Sequence, residues 1–249
     1  WVKERAVGVA DVTAWPRASE DLTTMEAMTQ MSTPSPQPSA STPIRVGPHE
    51  LSVVGVVAIS RTAACTRYAK DADRAPQMAA RVDLLRMSAW EVSSFDRVVA
   101  LASAHGIDAA GAAERFTDVL GDLDERLRPL DWAERLVKTY IAFGLLIDFG
   151  MALSDSLAEP LRSGLIDELG QDPISSYAIA ELEASIAADS QLAARLGLWG
   201  RRVVGEEIGT FQRLLGQFPE LLGSVAPEQF HAVLSQGAVS RMKGLGLRV

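Results

Sequence analysis

Residues 87–99 read MSAWEVSSFDRVV. Apolar side chains recur there at steps of three and four, so the segment belongs to an amphipathic helix whose inner face carries Leu84, Met87, Phe95 and Val98. Glu91 falls on that same face, and Ser94 follows one turn along. A carboxylate in such a place needs a partner, because an unpaired buried charge costs several kcal/mol or is neutralised by a shift in its pKa.

The helical spacing extends from this segment in both directions. From Pro48 onward strand-like alternation is absent, and helices are expected near 49–73, 76–104, 109–126, 131–155, 159–187, 190–217 and 227–244. Pro76 and Pro227 suit first helical turns, Gly106 follows a helix end, and Asp131 with Glu134 forms a capping-box start. Long helices joined by short connections make an all-α bundle. Residues 1–47 differ: the stretch MSTPSPQPSASTP is rich in proline and hydroxyl residues, which predicts a disordered Pro/Ser-rich tail or leader ahead of a helical domain over 48–249. Met31 is a candidate start, which would make 1–30 a leader.

Composition narrows the function classes. With 249 residues, 47% of them hydrophobic, the chain suits one globular domain plus a tail. Its net charge of −8 speaks against non-specific nucleic-acid binding, which needs a basic face. Cys65 is the single cysteine, so no intrachain disulfide is possible, and it lies on the interior side of its helix, where a thiol is inert. The longest apolar stretch, YIAFGLLIDFGMAL, is interrupted by Asp148 and falls short of the roughly 20 residues of a membrane helix. No membrane association and a cytoplasmic location are therefore expected.

Three further charges share the position of Glu91 on otherwise apolar faces. Arg61 lies in line with Val54, Val57, Ala58, Cys65 and Tyr68; Asp148 neighbours Gly144, Leu145, Phe149 and Ala152; Asp172 stands four residues after Glu168 and three before Ser175. Four such residues on four long helices predict a shared polar centre. For Asp172 a second reading stays open, since GQDPISSY also reads as a helix break with Asp172 as N-cap and Pro173 at the first helical position.

Four stretches, VVGVVAISRTAACTRYAKDA (53–72), DLLRMSAWEVSSFDRV (83–98), WAERLVKTYIAFGLLIDF (132–149) and SIAADSQLAARLGLWGRRVVGE (185–206), resemble the ferritin-like proteins related to the tRNA hydroxylases that oxidise a prenylated adenosine. The likeness runs from about Leu51 to Leu247. It implies a ferritin-like four-helix bundle core with two or three additional helices. It also implies a di-iron centre at which oxygen is reduced to hydroxylate the substrate. In such bundles two helices each give a Glu, and each of the other two gives a Glu-x-x-His pair. Carried onto this chain, the first carboxylate falls on Arg61 and the first acid-x-x-His pair on Glu91 and Ser94. The helix-four acid falls on Phe143 or Asp148, and the second pair on Asp172 and Ser175. Both histidines are serines, and one acid has become a cation.

A serine hydroxyl stays protonated at neutral pH and a guanidinium cannot ligate, so no metal is expected; were iron bound, Glu91, Asp148 and Asp172 would hold it. Arg61 is expected instead to neutralise Glu91, Asp148 or Asp172, with Ser94 and Ser175 supplying hydrogen bonds. Such a chain would bind a protein partner or small ligand in the remnant cavity. The alternative is a working di-iron oxygenase on a modified tRNA base or another apolar group, with tRNA a partner through the resemblance alone. Iron storage is a third, weaker possibility. An apolar helix face left over would allow a homodimer. His49, His105 and His231 sit at helix ends, where structural roles are expected, and no Ser–His–Asp array forms. Of the adjacent acids Glu206 and Glu207, at least one is expected to be solvated; Gly197, Gly200, Gly205 and Gly209 predict close helix packing; and Trp132 and Trp199 are expected as core or groove anchors.

Overall fold

The chain's architecture comes from a computed structural model that describes residues 45–121 and 127–248. The expected tail, up to residue 44, and the end of the expected 109–126 helix lie outside the described residues. In chain order the helices are α1 (Pro48–Arg74), α2 (Met78–Ser103), α3 (Ala109–Glu114), α4 (Thr117–Gly121), α5 (Trp132–Ser154), α6 (Leu161–Leu169), α7 (Pro173–Ala188), α8 (Ser190–Gln217) and α9 (Pro227–Gly244), with a 3-10 turn at Pro219–Leu222 before α9. No strand occurs among the described residues.

The helix ends show why the sequence folds in these segments. The Gly47 amide donates to the Glu50 carboxylate at 2.8 Å ahead of α1, and the Glu134 amide donates to Asp131, the N-cap of α5, at 2.8 Å. Pro227 opens α9 as expected, whereas Pro76 lies in the α1–α2 connection and α2 starts two residues later with Gln77 as N-cap. The expected 109–126 helix is interrupted at Arg115–Phe116. The expected 159–187 helix is two helices, because Pro173 has no N–H to continue the ladder and Asp172 instead caps a new start.

α1 lies along α2, and α5 runs through the middle, touching α1, α6, α7, α8 and α9. The four-helix core is α1, α2, α5 and the broken α6–α7 pair; α8 and α9 add an outer layer against α5, and α3 and α4 close one end of α1. This central position explains the composition of α5. By length and hydropathy it is apolar enough to cross a membrane, contrary to the sequence-based expectation, but 78% of its most apolar window is buried inside the bundle. Of the α8 glycines, Gly200 makes the predicted close approach, to Met242 of α9, while Gly205 faces open space. Trp199 anchors α8 by donating its indole N–H to the Glu134 carbonyl at 2.7 Å.

Candidate functional site: a buried ion pair between α1 and α2

The inward charges meet, but in separate groups. Arg61 of α1 and Glu91 of α2 pair at 3.2 Å with side chains 3% and 2% exposed. Phe143 and Tyr68 close over them, their rings 5.6 Å apart. A cavity of only about 10 Å³ remains, bounded by Arg61, Glu91, Tyr68, Phe143, Leu146 and Ser60. That is at the threshold for one water molecule. Burial pushes the Glu91 carboxyl up to about 7, against the opposing charge and hydrogen bond of Arg61. Burial likewise raises the Tyr68 phenol well above its ordinary value, with Glu91 and Asp172 adding to the effect.

Ser94 is fully buried but turns from this pair toward α6, donating its hydroxyl to Glu168 at 2.9 Å. Arg97 donates to the other oxygen of Glu168 at 2.7 Å. Burial alone would raise the Glu168 carboxyl; the bonds from Arg97 and Ser94 outweigh it and hold the pKa below its ordinary value. No local sequence signal marks Glu168 as a member of the site, because it joins only through the docking of α6 on α2.

Asp148 does not join Arg61. It is held at both oxygens by Arg241 of α9, one of the two bonds measuring 3.0 Å. Two glycines make this possible: a methyl group at Gly144 would collide with the Arg241 side chain, and one at Gly237 with the Asp148 carboxylate. Five residues along a helix correspond to a rotation of about 140°, so Phe143 and Asp148 face different neighbours, and Phe143 is the one beside Glu91. Asp172 caps α7 by accepting the Ser175 amide at 3.2 Å. It is also near enough to the other charges to feel them: burial raises its carboxyl, Arg241 and the Ser175 amide oppose that, Asp148 reinforces it, and Arg61 opposes it. Both readings of Asp172 therefore apply, as cap and as a neighbour of the centre. Burial raises the Tyr140 phenol, and the neighbouring Ser175 hydroxyl works against that rise.

A further polar group lies between α1, α5 and α8. Asp71 is fully buried and accepts from Arg135 at 3.0 Å and from the Thr139 hydroxyl at 2.5 Å. The Lys138 ammonium donates to the Leu127 carbonyl at 2.7 Å, and burial, then the Arg67 charge, lowers its pKa to about 7. Glu207 is wholly buried beside them and Glu206 is half-buried. With Ile59, Ala63, Arg67, Lys138, Phe143 and Glu207 in its wall, a cavity of about 260 Å³ lies here, sharing Phe143 and Leu146 with the small space at Arg61–Glu91. The signal for this group was Lys138 itself, a cation at the head of an otherwise apolar run.

His49 and His231 lie apart from these groups: His49 bonds the Glu220 carbonyl and Ser156, each at 2.8 Å, and His231 is exposed. Cys65 is a free thiol 3.3 Å from the Ser88 hydroxyl. Among the described residues no three His, Cys, Asp or Glu side chains come together as a metal-binding group.

Residues 49–225 match the family described as ferritin-like domain, actinomycetes, and the chain belongs to that family. Among solved structures it is similar to "Protein 19 with aldehyde deformylating oxidase activity" from Synechococcus, with a TM-score of 0.59 and 18% identity over 80% of this chain and 90% of that one. At that identity the likeness is one of fold. No curated protein matches the chain by sequence.

Proposed function

We propose that this ferritin-like protein has given up its di-iron centre, that a buried ion pair closes the vacated place, and that it acts by binding a small ligand or protein partner. The observation that carries this reading is the Arg61–Glu91 contact beneath Phe143. Two irons need about four carboxylates and two imidazoles. Here Glu91 is engaged by a guanidinium, Asp148 by Arg241, and Ser94 by Glu168, while Asp172 caps a helix. This donor set does not fit a di-iron centre, and no chemical step is derived through one. The adjoining cavity of about 260 Å³ suits a small ligand with an apolar body against Ile59, Ala63 and Phe143 and a polar end toward Arg67 and Lys138. A cytoplasmic location belongs to the same proposal.

A second reading is a working oxygenase on an apolar substrate, with iron on Glu91, Asp148 and Asp172. The shared fold with a protein named for aldehyde deformylating oxidase activity favours it, and the resemblance to tRNA hydroxylases would make a prenylated tRNA base its substrate. The discriminating experiment supplies the purified chain with ferrous iron, a reductant, oxygen and either a medium-chain aldehyde or prenylated tRNA. The binding reading predicts no product above that of free iron. Product formation that disappears in Glu91→Gln supports the oxygenase and removes the first reading.

A further inference from the structure

Three large apolar side chains exposed to solvent, Met78 (70%), Leu85 (47%) and Val92 (49%), lie seven residues apart on α2. Val82, Ala89 and Val99 interleave with them at alternating steps of four and three, and Asp96 takes the one remaining position in the same stripe. A repeat of this kind is the seam along which two helices pack side by side. The other faces of α2 are covered by α1, α3 and α6, so the stripe is the face the fold leaves over, with its last member Val99 partly packed against the core.

We propose that this face of α2 is a homodimer interface, two copies packing antiparallel about a two-fold axis beside Ala89 and Val92. The charges of the stripe select a second copy of this chain as its occupant. Arg86 flanks the N-terminal half and Asp96 sits in the C-terminal half, so the stripe is complementary to itself only when one copy is reversed. With Ala89 against Val92 of the second copy, Val82 meets Val99, and Arg86 of each copy reaches Asp96 of the other. Arg86 is available for this, since its contact is a 3.2 Å bridge to Asp83 on its own helix with the guanidinium side chain 77% exposed. The seam from Met78 to Val99 is about 32 Å long at 1.5 Å per residue. A single helix pair of that length buries on the order of 1,000 Å², the size of a weak, concentration-dependent contact.

Sedimentation equilibrium on the full chain, from micromolar to near-millimolar concentration, tests the proposal. The expected result is a mass rising from 26.7 kDa toward twice that value. Leu85→Glu, at an exposed position that leaves the fold's core untouched, weakens association by about tenfold or more. Asp96→Arg alone also weakens it, by setting two cations face to face, and Arg86→Asp with Asp96→Arg in the same chain recovers it. A chain that stays at 26.7 kDa throughout overturns the proposal. So does a dimer unaffected by Leu85→Glu while circular dichroism shows its helices intact, or a paired charge swap that recovers nothing.

Discussion

Arg61 of α1 donates to Glu91 of α2 across 3.2 Å in the interior of the bundle, where neither side chain reaches water. Removing one member of such a pair strands the other. Arg61→Met is therefore expected to cost up to about 3–5 kcal/mol in a urea denaturation well above pH 7, where Glu91 is ionised, whereas Arg61→Met combined with Glu91→Leu is expected to be close to neutral. The loss in the single variant shrinks in acid, as Glu91 takes up a proton. A double variant as unstable as the single one would mean that the pair holds more than its own charges.

The same carboxyl predicts a pH dependence. The folded chain keeps the Glu91 proton up to about 7, while an unperturbed glutamate releases it near 4.5. Its contribution to stability is thus fully present below 4.5 and is lost as the pH rises through about 7. Thermal unfolding of wild type and Glu91→Gln across this window should differ in slope, with the variant lacking the decline. Parallel profiles would place the group's titration elsewhere.

Lys138 titrates in the opposite sense. Burial lowers its ammonium from 10.5 to about 7, so its contribution is present above 10.5 and is lost as the pH falls through about 7. Lys138→Met should flatten the rise in stability between those values. A rise of unchanged steepness in the variant contradicts the assignment.

Asp172 caps α7 through the Ser175 amide. Asp172→Ala is expected to cost about 1 kcal/mol, and Asp172→Asn only a small part of that, because asparagine caps as well as aspartate. Chemical denaturation of both variants measures the difference. Equal losses would show that the negative charge, facing Arg241 and Arg61, matters more than the cap.

Much of this arrangement is legible in the sequence because it depends on local rules. The three-and-four spacing and the capping residues place α1, α2, α8 and α9 within a few residues of their bounds, and the shared faces of Arg61 and Glu91 bring those two residues together. What cannot be read locally depends on packing. The partner of Asp148 lies 93 residues away on α9 and reaches it only because Gly144 and Gly237 leave space for it. Glu168 becomes part of the site only once α6 docks on α2 and offers it to Ser94. Asp71 looks like an ordinary surface acid until Arg135 and Thr139 of α5 enclose it.

The proposal that the Arg61–Glu91 pair stands in place of a di-iron centre is tested most directly by an anaerobic titration of the purified chain with ferrous iron, read by calorimetry. The account predicts no saturable binding at two irons per chain and no change between wild type and Glu91→Gln. Stoichiometric, saturable binding in the wild type that is lost in Glu91→Gln would contradict it.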